Sequence, residues 1–506
     1  MNNALNLTSG RLLARNTIIN LVSEVVPFLV AIFAIPALIG GIGVDRYGVL
    51  TLSMMVVGYF GLFDFGLGRA ATKFIAEAAA SGDRERIPGL FWTSLYLMLV
   101  FGAAAAVLVA VLTPWLVHDV LKIPPALRPE TVRAFYLLAL SMPFVISGGT
   151  LTGTLSAFQR FDLINTVRVP TGIFSYLGPL VVIPFSHAID AMVAAMVLGR
   201  VAGWLATFAL CLRVAPALRH RRRARRAVLR PMLGFGGWVT VSNVISPILT
   251  YFDRFLIGAM LSMAAVAYYT VPYQAMSKLM VVPSAITGVA FAAFSATSTN
   301  DPARAAVLFE RATRYVMLAL FPIILILVTL APEVLSLWLG PSFAAHSATV
   351  MRLLAVGIFI YCIGWIAFSL VQAADRPDIG AILHLTVAPL YLLVLWFLLT
   401  RYGIAGAACA WALRATVDTA VLFVITGRIA PLAAPGVLRV RRIAACAILV
   451  IALGTLPMDL AMKSLFLAAT LALFAATAWK ALLEPAEREF VRGYARSAGL
   501  ALIVTR

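Results

Sequence analysis

The chain is predicted to be an all-α polytopic membrane protein that crosses the bilayer about 14 times. Three observations carry this prediction. Hydrophobic residues make up 62% of the 506 residues, charged residues only 12%, and the mean hydropathy is +0.97. A soluble domain carries roughly twice that charged fraction. Apolar windows of about 20 residues, the length of helix that crosses the hydrocarbon core, follow one another along the chain. Basic residues collect in alternate loops, as positive-inside topology requires.

The windows fall at 16–39, 47–68, 88–113, 132–157, 165–186, 189–212, 232–258 and 264–290, then at 314–336, 348–373, 379–400, 404–427, 443–457 and 461–482. The run 443–457 is the shortest. Arg11 and Arg15 precede the first window, which passes Pro27 and Pro36 and contains Glu24. It lacks a small-x-small cleavage site, so a retained span is expected rather than a signal peptide. With both termini in the cytoplasm, about 29 of the 40 Lys and Arg lie on that side.

The net charge of +19 is mostly arginine, since lysine occurs only at 73, 122, 278, 463 and 480. Its densest run, Arg213 to Arg230, reads as an anchor beside anionic headgroups. No aromatic platform or helix-turn-helix pattern accompanies the charge, which argues against nucleic acid as a partner. Cys211, Cys362, Cys409 and Cys446 lie singly in or beside apolar runs, with no CxxC and no disulfide framework. Five scattered histidines give no metal site, and no GxxxxGK[ST] loop supports a nucleotide pump. No cofactor is expected. Two amphipathic segments are expected on the cytoplasmic face: 69–80, with Lys73 and Glu77 one turn apart, and the tail after Leu483, with Arg488, Arg492 and Arg496 on one helical face.

The halves resemble each other. Asn20-x-x-Ser23-x-x-x-Pro27 recurs as Thr240-x-x-Asn243-x-x-x-Pro247, and Asp45-Arg-Tyr47-Gly48 as Val266-Ala-Tyr268-Tyr269. The turn Ala157-Phe-Gln-Arg160-Phe-Asp162 recurs as Ala373-Ala-Asp-Arg376-Pro-Asp378, and Arg200 in the sixth span matches Arg414 in the twelfth. Four matches in order predict two parallel lobes related by an axis along the membrane normal. The expected division is a first lobe over 1–212, a basic linker at 213–231, a second lobe over 232–430, two further spans in 431–483 and a tail from 484 to 506.

Ionisable groups at membrane depth are costly and need a partner, a wet cavity or a substrate. The candidates are Glu24, Asp64, Arg200, Asp253, Arg254, Lys278, Arg414 and Asp418. Arg414 and Asp418 can pair along their own helix, and Asp64 can pair with Arg69. Cations outnumber anions at mid-depth, so a cavity lined by them favours an anionic substrate. The expected substrate groups are Lys278, Arg254, Arg200 and Arg414; the expected ion-coupling groups are Glu24, Asp253, Asp64 and Asp418. Arginine suits phosphate through its planar fork of donors, and lysine acts as a point charge.

Three stretches resemble the multidrug/oligosaccharidyl-lipid/polysaccharide exporter superfamily, and within it the bacterial polysaccharide repeat-unit flippases. They are Ile42-Gly-Val-Asp-Arg-Tyr47-Gly48 running into Asp64-Phe-Gly-Leu-Gly68, Tyr251-Phe-Asp253-Arg254-Phe-Leu-Ile257-Gly258, and Val266-Ala-Tyr-Tyr269 leading into Pro272. The likeness extends over about residues 10–430. It implies two six-helix lobes, alternating access and coupling to a gradient of H+ or Na+ or to the membrane potential. It also implies transport of an anionic polyprenyl-diphosphate-linked oligosaccharide to the outer leaflet. Cavity lining by spans 1, 2, 7 and 8, again implied by the likeness, favours Glu24, Asp253, Arg254 and Lys278.

A monomer surrounded by membrane lipids is expected, with a polysaccharide polymerase or glycosyltransferases as partners. Two other functions compete. A multidrug/cation antiporter of the same superfamily needs an acidic site, and Lys278 and Arg254 oppose cationic cargo. A glycosyltransferase or polymerase needs carboxylates or histidines at the membrane surface; His118, Asp119 and Glu130 in the largest outer loop have no second acidic pair. An enzyme is therefore not expected.

Overall fold

The computed structural model describes residues 10–61, 67–83, 85–219, 251–297, 302–374, 376–429, 434–485, 487–489 and 492. All regular structure among these residues is helical. In lipid no water bonds an exposed backbone, and a helix satisfies its own N–H and C=O groups.

The first six expected spans lie in α1 (Gly10–Ile42), α2 (Val44–Gly61), α4 (Arg86–Trp115), α5 (Arg128–Ala157), α6 (Phe161–Val182) and α7 (Ile189–Val214). The short α3 (Leu67–Ala80) is the expected amphipathic segment, and its Lys73 and Glu77 pair at 3.9 Å. The seventh span is described over 251–260, named α8; the rest of it and most of the basic linker lie outside the described residues. The eighth is divided into α9 (Met263–Ser277) and α10 (Val281–Thr297) by a 3-10 turn at Lys278–Met280.

Then come α11 (Pro302–Thr329), α12 (Ala331–Leu339), α13 (Pro341–Ala373), α14 (Pro377–Ile429), α15 (Ala434–Leu453) and α16 (Leu460–Thr477). Two expected spans share α14, which breaks at Gly403, where φ is 59° and ψ −143°. A positive φ is the conformation glycine adopts without a Cβ penalty. Nine segments among the described residues are long and apolar enough to cross a bilayer. The full count of about 14 spans is not reached by that criterion: α2, α6, α8 and α15 fall outside it.

Several boundaries differ from expectation. The ninth span, α11, runs from Pro302 to Thr329 against the expected 314–336, and α15 begins at Ala434 rather than 443. Hydropathy windows stop at charged residues, but a helix does not. Arg439 is helical and bonds Glu310 of α11 at 2.8 Å.

By contacts the chain forms two compact units, residues 1–274 with 381–410, and 275–380 with 411–506. In the first, α3, α4, α5 and α7 enclose Ala71, Ile75, Phe91, Met98, Leu151 and Cys211. Trp92 Nε1 donates to Leu218 O at 3.0 Å, and Ser94 and Thr150 hydroxyls meet at 2.9 Å, so these buried polar groups are satisfied.

In the second unit, α11 packs on α13 and α15. The appended helices are tied to α11 and α12 by charge. Arg311 and Arg314 meet Glu484, Arg314 also meets Glu487 at 3.3 Å, and at the other end Lys463 Nζ bonds Glu333 at 2.7 Å.

The repeated Arg-x-Asp turns fold alike. The Arg160 N–H donates to Leu155 O at 2.9 Å and the Arg376 N–H to Val371 O at 3.3 Å, the same five-residue closure. Each guanidinium then bonds the carboxylate two residues on, Arg160 Nη2 to Asp162 at 2.9 Å and Arg376 Nη2 to Asp378 at 3.1 Å. These hydrogen bonds hold both carboxyls below their usual range. A depressed pKa contributes stability above the unfolded value near 3.9 that is lost as pH falls through the folded value. Carbonyl NMR of labelled aspartate is expected to show Asp162 titrating below about 3.9 and returning toward it in Arg160→Ala. An unchanged titration in the variant refutes the assignment.

Candidate functional site

The α8–α9 turn is held from outside its own two helices. Helix α9 begins with N–H groups that have no partner inside the helix. The Ala265 N–H donates to Ser262 Oγ at 3.1 Å, and the Ala264 N–H donates to Asp45 Oδ1 of α2, also at 3.1 Å. At the end of α8 the polarity reverses. The Lys122 N–H donates to Gly258 O at 2.9 Å, and Lys122 Nζ donates to Met260 O. An anion thus faces a helix N-terminus and a cation faces a C-terminus, each matched to the helix dipole.

Gly48 completes the clamp. A Cβ there would lie 1.9 Å from the carbonyl oxygen of Met263. Glycine inside a helix costs about 0.5–1 kcal/mol relative to alanine, so its presence in α2 reflects this close approach. Val117, Leu121, Ile257 and Met263 are buried around the same turn.

Below the turn lies a buried charge pair. Asp253 and Arg254 are each 1% exposed. Arg254 Nη1 donates to Asp253 Oδ1 at 2.8 Å, as does the Arg254 backbone N–H, and Tyr269 Oη donates to Asp253 Oδ2 at 2.7 Å. The guanidinium carbon lies 3.8 Å from the ring centre of Tyr273, 5.6 Å from Tyr269 and 5.8 Å from Tyr251. Such face contacts stabilise a desolvated cation. The helix spacing brings Asp253 and Arg254 of α8 against Tyr269 and Tyr273, one turn apart on α9.

The other expected site residues stand as follows. Arg200 lies half-buried in α7, and among the described residues it makes no hydrogen bond or ion pair. Arg414 Nε is 3.7 Å from Asp418 Oδ2 on the same helix, the local pairing the sequence allows. The match of Arg200 to Arg414 therefore does not extend to a partner, because Trp204 stands where Asp418 stands. Lys278 is half-buried in the 3-10 turn between α9 and α10. Asp64 lies outside the described residues, as does the Glu24 side chain, although Glu24 falls within α1.

Lys122 was missed by the sequence reasoning. One signal was available: it is a lysine on the side that topology assigns to few cations. Tyr269 was quoted only as part of a motif, and Tyr273 not at all.

A model of a family described as "Polysaccharide biosynthesis protein" matches residues 42–348, which include α2, the clamp and the buried pair. The chain belongs to this family. A curated protein of similar sequence, a Shigella flexneri protein provisionally designated an O-antigen transporter, is 29% identical over 412 residues, covering 81% of this chain and 96% of that protein. Solved structures share the fold. An inward-facing multidrug transporter of the MATE family and MOP superfamily aligns at TM-score 0.68, 15% identical, over 81% of this chain and 98% of that one. An outward-facing structure aligns at 0.57, 16% identical, over 83% and 96%. A MOP superfamily transporter from Pyrococcus furiosus, whose binding pocket is described as reversed in polarity, aligns at 0.58 with 16% identity over the same shares. This chain is a multi-pass membrane protein with the fold of these transporters.

Proposed function

We propose that this protein is a flippase that carries polyprenyl-diphosphate-linked oligosaccharide units from the cytoplasmic to the outer leaflet of the bacterial inner membrane. The observation that carries the reading is a transporter fold of the polysaccharide biosynthesis family whose apolar stretches carry Arg200, Arg254 and Lys278. Desolvated cations favour a diphosphate and oppose an organic cation. The Shigella flexneri relative, named for O-antigen, supports the same class of cargo.

In this reading both termini lie in the cytoplasm, the lobes are 1–212 and 232–430, and 431–483 supplies two accessory spans. The clamp of Asp45, Gly48 and Lys122 then closes the outer face. The diphosphate enters from the cytoplasm while its lipid tail remains in the bilayer, and Arg200 and Lys278 are each assigned to it. The clamp opens to release it outward. Coupling to H+ or Na+ operates through Glu24, Asp64, Asp253 or Asp418, whose charge biases the return. Arg414 serves the substrate only by leaving Asp418. Glycosyltransferases supply the cargo and a polymerase consumes it.

The test is the fate of lipid-linked repeat units in cells lacking the protein. They are expected to accumulate in the inner leaflet; normal delivery to the outer leaflet refutes the proposal. Lys278→Ala and Arg200→Ala are each expected to slow flipping by roughly 10–100-fold, the loss of one charged contact worth about 1.5–3 kcal/mol. Protein amounts in the membrane should stay unchanged. Wild-type flipping by both variants removes these residues from the site.

A further inference from the structure

The buried pair has a geometry that a purely structural ion pair does not require. Asp253 is fixed without its arginine: one carboxylate oxygen accepts the Arg254 backbone N–H at 2.8 Å, and the other accepts the Tyr269 hydroxyl at 2.7 Å. Arg254 is held differently. Its guanidinium carbon lies 3.8 Å above the ring centre of Tyr273, whose hydroxyl it also hydrogen-bonds, and Nη1 meets Asp253 at 2.8 Å. A guanidinium carries five N–H donors in its plane, so a face contact leaves edge donors able to change acceptor while the ring stays beneath them. The carboxylate has anchors of its own, so the bond it accepts from Arg254 Nη1 is the one open to exchange.

We propose that Asp253 is the internal competitor of the anionic substrate for Arg254, so that a phosphate group and a proton on Asp253 are bound together. Tyr269 and Tyr273 are positioning residues for this exchange. The proposal deepens the flippase reading and rests on it for the identity of the anion. One guanidinium cannot neutralise two anions in a low-dielectric site, because like charges there do not both stay ionised. When phosphate oxygens take the edge of Arg254, Asp253 takes one proton from water. When Asp253 loses that proton, its carboxylate reclaims the guanidinium and expels the phosphate. No covalent bond changes, and Tyr269 keeps its own proton.

The charged and titratable groups facing Asp253 among the described residues are few. They are Arg254 and Tyr251 on α8, Tyr269 and Tyr273 on α9, and Tyr391 of α14, which interacts electrostatically with Tyr269. The switch shares its two helices with the clamp, since Gly258 and Met260 follow it on α8 and Ala264 precedes Tyr269 on α9. Release of the α8–α9 turn is the movement that admits an anion to a pair now 1% exposed.

The test uses the full-length protein in zwitterionic lipid nanodiscs and inorganic sulfate, whose charge does not change between about pH 5 and 9. Wild-type protein is expected to bind sulfate at least about fivefold more tightly at pH 5.5 than at pH 8, about 1 kcal/mol. Asp253→Asn should bind as the wild type does at low pH, with no pH dependence. Tyr269→Phe keeps the ring and should shift the transition toward higher pH, because the carboxylate loses a hydroxyl that stabilises its charge. Tyr273→Phe, which keeps the ring and loses one hydrogen bond to Arg254, should bind somewhat more weakly, and Tyr273→Leu much more weakly, at every pH.

A wild-type pH profile in both Asp253→Asn and Tyr269→Phe overturns the exchange. So does tight sulfate binding by Arg254→Met. Sulfate binding needs no glycan, so failure here leaves the cargo assignment standing. Normal outer-leaflet delivery in cells lacking the protein refutes the cargo without touching the switch.

Discussion

Gly48→Ala is expected to abolish transport while the protein still reaches the membrane. The added Cβ would sit 1.9 Å from the Met263 carbonyl oxygen, a backbone atom that cannot rotate away. By helix propensity alone the change would stabilise α2 by about 0.5–1 kcal/mol. Overpacking of a tight contact costs about 1–3 kcal/mol, which exceeds that gain and falls only on the clamped state. The equilibrium therefore moves toward the state in which α8 and α9 have left α2.

A cysteine at Leu121, 3% exposed beside the clamp, reports this directly in a chain whose own cysteines are replaced by alanine. A membrane-impermeant maleimide added outside should label it slowly in the Gly48 background and rapidly with Gly48→Ala. Equal labelling shows that Gly48 does not control closure of that face. Lys122→Met removes one carbonyl-capping cation, so a smaller change in the same direction is expected.

The second large effect concerns the buried pair. Asp253→Leu or Arg254→Met alone should destabilise the protein by about 3–5 kcal/mol, because each leaves an uncompensated charge without water. The double variant should recover most of that loss, since an apolar pair of similar volume packs without charge. Thermal unfolding in detergent measures both. Recovered stability with lost transport separates the pair's task from its packing. Additive losses in the double variant contradict the pairing, because independent sites add and coupled ones do not.

The helical class was legible because hydrocarbon imposes it: a residue such as Phe91 or Leu151 has one phase of 20-residue apolar windows to belong to. The paired Arg160 and Asp162 turn was legible for a different reason, since its repeat at Arg376 and Asp378 marks a local hydrogen-bonded closure that depends on few distant residues. The site was less legible. Arg254 and Lys278 both read as cations suited to a substrate, and sequence distance does not tell which charge turns toward a neighbour. The partner of Arg254 was its own neighbour, Asp253, and the rings that hold it come from the next helix. Lys122 and Asp45 escaped notice as a pair because they cap helix ends far away in sequence, where the ligand is a backbone group with no side-chain signature. Helix ends blurred for a related reason: Arg439 continues α15 in an aqueous environment that a hydropathy window scores as loop.

The appended helices carry a consequence for anyone who wants to watch the protein move. Arg439 and Glu310, with Arg314 and Glu487, fasten one end of α15–α16 and the following turn to α11, and Lys463 with Glu333 fastens the opposite end beside α12. Fastened at both ends, the pair is a fixed ruler. Spin labels or fluorophores on Cys446 of α15 and on α11 should keep one separation through the whole cycle, giving spectroscopists an internal calibration against which any changing distance elsewhere can be read.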